Sequence, residues 1–456
     1  MPGKLPGGGP CASATVHGIG VPGCLSLCHR RAAGPRPAVE LARCGWTVFR
    51  ALVGHERDGR EAMKTAGVGL TLFAYGFRPF FLLAGWFAVV GLGGWLLIFQ
   101  GRMTWSGGLP VTLWHGHEML FGFVTAAIAG FMLTAVPSWT GTRGFGGWPL
   151  VALVALWLAG RVVFAMAGSV PYGILAVLEL TFLPALAAMI APALLRSRNR
   201  NTKLLLVLLA LWAADVVFMT GLRRGDAALS GASLTFALNL VLLLITVIGG
   251  RIVPAFTANA LRQRSHEPIL RAVPWLERLV ILAMVALLVI DVVLPMTTWA
   301  GVIAVLAGLA QAARLSRWNG QHTLAEPIVW ILHLAYAWLP VGLLLKAAFL
   351  LGGFSWAAFW MHALGAGATA TMILAVMSRA SLGHTGRELR VPPIMTVSYL
   401  MVTLAAALRV FGPAVLPFAY GQLITIAGLL WMASFLVFAL VYTPILLRPR
   451  VDGKPG

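Results

Sequence analysis

Residues 204–222 read LLLVLLALWAADVVFMTGL, an apolar run interrupted by one charged side chain, Asp215. Arg200 and Lys203 precede it, and Arg223 and Arg224 follow it. A run of about 20 apolar residues is what an α-helix needs to cross a hydrocarbon slab about 30 Å thick. Working outward, the same pattern recurs along the chain, at approximately 78–99, 110–136, 148–167, 171–195, 203–222 and 231–253. It continues at 276–295, 297–313, 327–351, 355–378, 392–411 and 416–446. The sequence therefore predicts an all-α polytopic membrane protein with about twelve transmembrane helices and the lipid bilayer as its solvent.

Composition agrees. Of 456 residues, 59% are hydrophobic and 11% charged, against roughly 45–50% and 25% in soluble chains. A mean hydropathy of +0.87 leaves more apolar surface than a core can hide, which excludes a water-soluble globule. The runs are apolar on all sides, which excludes an outer-membrane barrel, whose strands alternate. A net charge of +20 would suggest nucleic acid in a soluble protein. Here Lys and Arg flanking the cytoplasmic ends of many spans account for it, and no nucleic-acid partner is needed.

The charges also orient the chain. Alternate turns carry Arg143; Arg196, Arg198 and Arg200; Arg251, Arg262 and Arg264; Arg314 and Arg317; Arg379, Arg387 and Arg390; and Arg448 and Arg450. The intervening turns carry little beyond Arg102, Arg223 and Arg224. This parity places both termini in the cytoplasm.

Residues 63–456 form the expected membrane domain, and residues 1–62 read as a disordered basic tail or as the product of a start codon placed too early. Met63-Lys64 would then open the protein. All four cysteines, Cys11, Cys24, Cys28 and Cys44, fall in that tail. Cys24 to His29 has the look of a c-type haem box with one extra residue, in surroundings too rich in Gly, Pro and Arg to fold around a haem. The motif Val136-Pro137-Ser138-Trp139-Thr140 in span 2 echoes Val253-Pro254-Ala255-Phe256-Thr257 in span 6, with Val376-Met377-Ser378 fainter in span 10. A unit of four spans taken three times would explain the spacing.

Polar side chains are expensive in lipid, so intramembrane ionisable residues mark candidate function. Span 2 opens with Trp114-His115-Gly116-His117-Glu118-Met119. Imidazole, carboxylate and thioether are ligand types for copper, iron or zinc. Helical spacing of about 100° per residue puts His115, Glu118 and Met119 on one face, where copper is expected, and His117 opposite. The two histidines then serve one metal only if Gly116 breaks the helix. An interfacial belt of Trp and His is the alternative. His362 in span 10 lies at the same depth as His117, an arrangement suited to bis-imidazole haem b. The small residues Ala363 to Ala368 leave room for a flat macrocycle or allow close helix packing. His333 sits in the inner third of span 9, and His384 in a cytoplasmic turn. Glu179, Asp215, Asp291 and Asn239 pair with Arg161 or form a proton path. Arg78 and Arg251 either snorkel or clamp an anion such as a haem propionate.

Five motifs in order, FRPFFLLAG (77–85), WHGHEMLFGF (114–123), GFMLTAVPSWTG (130–141), GGRIVPAFTANAL (249–261) and AVMSRASLGHTGR (375–387), resemble the NnrS family over nearly all of 63–456. The resemblance implies a haem- and copper-containing protein of the bacterial inner membrane, associated with the nitric oxide response and resistance to nitrosative stress. It brings no agreed reaction and no electron donor. Carried over by position, the family's histidines fall on His115, His117, His333, His362 and His384. The competing class is a secondary transporter with structural histidines, although the turn Thr140-Gly141-Thr142-Arg143-Gly144 lacks the motif of the major facilitators. A haem-copper oxidase relative is set aside, because span 6 contains no histidine.

Overall fold

The computed structural model describes residues 71–108, 110–264 and 272–454. The cysteine motif of the tail, the start at Met63 and His266 lie outside the described residues. Twelve long helices follow one another, with no strands among the described residues. They are α1 (Phe77–Phe99), α2 (Val111–Thr140), α3 (Trp148–Ala165), α4 (Tyr172–Arg196), α5 (Arg200–Arg224) and α6 (Ala227–Gln263). Then come α7 (Pro274–Val293), α8 (Thr298–Trp318), α9 (Pro327–Gly352), α10 (Ser355–His384), α11 (Pro393–Val415) and α12 (Pro417–Leu447).

Eleven of these are long and apolar enough to cross a membrane. The remaining one, α7, has the length but carries Glu277, Arg278 and Asp291. Two of those charges are compensated inside the protein. Glu277 pairs with Arg314 of α8, and Asp291 with Lys346 of α9. A charge so paired no longer counts fully against burial in lipid. Outward-facing Val90, Leu158, Val177, Leu206, Leu282 and Leu306 are exposed, as a lipid-facing belt requires.

Helix ends follow local chemistry. Gly225, at φ +66°, closes α5 in the left-handed region that glycine adopts without strain. Asp226 then caps α6, its Oδ1 accepting the Leu229 amide at 2.9 Å. Proline begins α7, α9 and α11, where its missing N–H costs nothing.

α2, α9 and α10 are the most buried helices. α1 packs against α2 and α12, and α6 meets α2, α9 and α10. Between α11 and α12 the hydroxyls of Ser398 and Ser434 each donate to the other's carbonyl, at 2.9 and 2.8 Å. Such reciprocal bonds hold helices together where lipid offers no hydrophobic drive.

Three helices contain a wider, π-helical stretch: Glu118–Val124 in α2, Ile245–Gly249 in α6 and Ala363–Ala370 in α10. These are the same helices, four apart, that share the Val-Pro echo. Wide turns of this kind concentrate at functional sites, and two of the three begin directly after a histidine.

Candidate functional site

The Trp114–Met119 segment supplies two different environments from one turn of helix. Val111–His117 is an unbroken helix, so Gly116 does not let both histidines reach one point. His115 faces one side of α2, His117 the other.

On the His115 side lies a cavity of about 410 Å³ between α1, α2, α6, α10, α11 and α12. His115 and Met119 reach it from α2, His362 and Gly365 from α10, and Arg409 from α11. The Trp95 ring lies 4.7 Å from that of His115 and fixes its plane. Otherwise the walls are mostly apolar. Four buried atoms here have no hydrogen-bond partner, His115 Nδ1, Arg409 Nη1, Trp95 Nε1 and Trp431 Nε1. Native proteins seldom leave buried polar atoms unpaired, and such atoms call for an explanation. The small residues after His362 divide their work. A Cβ on Gly365 would meet nothing within 4 Å, whereas one on Gly367 would lie 2.6 Å from Trp338. One part of the stripe opens the cavity, and the other allows α9 to approach.

On the opposite side, His117 is locked in a charged knot built from α2, α3, α4 and α5. Its Nε2 lies 3.1 Å from Asp215 Oδ1 and 3.8 Å from Glu179 Oε1. Its Nδ1 lies 3.3 Å from Glu118 Oε1. The ring stacks on Phe164 at 3.9 Å. Arg161 bridges Glu118 and Glu179. All five polar residues are buried. Three carboxylates against one guanidinium and one imidazole leave excess negative charge that bound protons or a cation must offset at this depth. His117, Glu179 and Asp215 place their ligand atoms within 4.8 Å of one another and could hold a metal ion.

Two expectations from helical spacing are corrected. His362 shares its cavity with His115 rather than with His117, because matched depth says nothing about the side of the helix a residue occupies. Glu118 does not join His115 and Met119. On a helical wheel it sits between both faces, and the Arg161 guanidinium draws its carboxylate away from the apolar cavity, where it would be uncompensated.

The other singled-out residues lie apart. His333 Nε2 meets Thr257 Oγ1 at 2.8 Å, with its ring edge-on to Trp318. The His384 ring packs 5.4 Å from Phe77, and its carbonyl accepts from Arg450 at 3.1 Å. Arg78 is fully buried and donates to the carbonyls of Leu446 and Arg448, at 2.7 and 2.8 Å, tying the start of α1 to the end of α12. Arg251 donates to Asn201 Oδ1 at 3.0 Å in a separate cavity. Asp291 is held by Lys346 and by Asn239 Nδ2 at 2.8 Å, not by Arg161. Arg409 and Lys346 had not been singled out. A single cation inside an apolar run was the available signal for each.

The fold and these sites define a multi-pass α-helical membrane protein with two histidine centres, one half-buried on an apolar cavity and one buried among charges. The family model described as NnrS protein matches residues 71–450, most of the chain, and the protein belongs to that family. No curated protein matches the sequence.

Proposed function

We propose that the protein binds haem b in the cavity shared by His115 and His362, and acts in nitric oxide metabolism or in protection from nitrosative stress. The observation that carries this is the presence of two imidazoles, from two different helices, on one apolar cavity. The residues fit the group. His115 Nδ1 and Arg409 Nη1 are orphaned donors or acceptors, and Gly365 leaves open space beside His362. His115 and His362 would hold the iron, and Arg409 would offset a propionate charge. Trp95 orients the His115 imidazole. The surrounding apolar side chains exclude water while admitting a small uncharged gas.

Copper is assigned to His117, Glu179 and Asp215, with Glu118 and Arg161 orienting them. A divalent ion would bring three carboxylates and one guanidinium to neutrality, which is the electrostatic case for a metal there. When bound, haem iron and copper supply centres that take nitric oxide as a ligand and exchange electrons. His333 and His384, separated from both centres, serve helix contacts in this account. Membership of the NnrS family points to the bacterial inner membrane, and the charge parity of the turns to both termini in the cytoplasm.

The test is an absorption spectrum, oxidised and reduced, on protein purified from membranes, with iron and copper counted per chain. The expected result is one haem with a Soret band that shifts on adding nitric oxide, lost in His362→Ala, and copper lost in Asp215→Asn with haem retained. A folded, colourless and metal-free protein would overturn the proposal and favour secondary transport.

A further inference from the structure

A second cavity, of about 400 Å³, opens at the arginine-rich face between α2, α6 and the start of α5. It shares no residue with the haem cavity or the charged knot. Its rim is polar: Arg200 and Arg251, with Asn199 and Asn201. Both arginines line the same cavity. No carboxylate lines the cavity. Arg251 has a neutral partner, Asn201. The turn before α5 is rigid. Asn199 Oδ1 accepts the Asn201 amide at 2.9 Å, and its Nδ2 donates to the Trp139 carbonyl at 2.9 Å, fastening the turn to α2.

Two guanidiniums on one rim, with no carboxylate among the lining residues, suit an anion, and their planar donor sets match the oxygens of a phosphate. The inner wall is different in kind. Phe131 and Ala135 of α2 and Ile248 and Ile252 of α6 form a purely hydrocarbon surface below the rim. A free inorganic phosphate would gain nothing from that wall. A phosphate carrying an acyl chain would use both halves.

We propose that this cavity seats an anionic phospholipid, with its phosphate on Arg200 and Arg251 and one acyl chain along Phe131, Ala135, Ile248 and Ile252. Basic pockets between transmembrane helices on the cytoplasmic side are suited to such headgroups. The proposal does not depend on any metal or on nitric oxide. It gives Arg251 a lipid phosphate in place of the haem propionate expected from sequence.

The experiment is native mass spectrometry of the full chain in detergent, with phosphatidylglycerol, phosphatidylethanolamine or inorganic phosphate added in separate arms. The expected result is retention of one phosphatidylglycerol per chain in preference to phosphatidylethanolamine. Its affinity should fall about tenfold or more in the double variant Arg200→Gln/Arg251→Gln. Both arginines are exposed, so the variant should keep the parent's melting temperature. Ile248→Trp provides a second route. It should block the acyl chain and lower phosphatidylglycerol retention with both arginines in place. Equal retention of the two lipids, or retention unchanged in both variants, would overturn the proposal. So would saturable binding of inorganic phosphate without a preference for the anionic lipid.

Discussion

His115 and His117 are two residues apart and live in opposite surroundings. The first faces an apolar cavity with Nδ1 unpartnered. The second has a carboxylate at each ring nitrogen and an aromatic ring on its face. The contrast shows how a membrane helix can serve two chemistries at once. One side is kept low in polarity and supplies an imidazole free to bind. On the other, both ring nitrogens of the histidine face carboxylates, the same groups that would hold a cation. Two steps of about 100° turn the second histidine about 200° from the first, to the opposite side of the helix.

The largest expected effect comes from breaking the charged side. Arg161→Met leaves Glu118 and Glu179 buried without their counter-charge. Removing one partner of a buried pair costs about 3–5 kcal/mol. Thermal unfolding in detergent should show a large drop in midpoint, or the protein should fail to accumulate. A midpoint near that of the parent would mean that the knot does not hold α2, α3 and α4 together.

Lys346→Met exposes the same principle at a second place, leaving Asp291 with Asn239 alone. We expect a loss of similar size, smaller in the double variant Lys346→Met/Asp291→Leu, because removing both charges of a buried pair costs less than removing one. A double-mutant cycle with no coupling would contradict the pairing.

Tyr336→Phe removes a buried hydroxyl that donates to Gln311 Oε1 at 2.5 Å and accepts from Arg314 Nη1 at 3.0 Å. The expected cost is about 1–3 kcal/mol, since two buried partners lose a bond. It should be read as a melting-temperature shift, without loss of haem.

Gly365→Leu tests the open side with the smallest effect on the fold. Its Cβ meets nothing within 4 Å, so the melting temperature of the haem-free protein should stay close to that of the parent. The side chain enters the cavity, and haem content should fall sharply. Haem retained in full would show that the group lies elsewhere.

Much of the fold was legible in the sequence because lipid imposes simple rules. Each of the twelve expected spans corresponds to a helix, including α7, which carries three charged residues. The buried acids Glu179 and Asp215, with Arg161, were identifiable as costly residues needing partners. What the sequence could not supply was azimuth. Depth can be counted in residues, but the helix that a side chain faces depends on packing, so His362 was matched to the wrong histidine of the pair. Glu118 was misplaced for a related reason. Its position is intermediate between two faces, and a partner 43 residues away decides between them. Lys346 and Arg409 stood out only as cations within apolar runs, and their roles depend on contacts with distant helices.

If the cavity lined by His115 and His362 seats haem as proposed, His115 and not His117 is the partner of His362. Electron paramagnetic resonance of the oxidised protein tests it by comparing His115→Ala with His117→Gln, both with iron counted. The account predicts that the low-spin signal of two-imidazole ligation disappears in His115→Ala and persists in His117→Gln. Loss of that signal in His117→Gln, with its survival in His115→Ala, would contradict it.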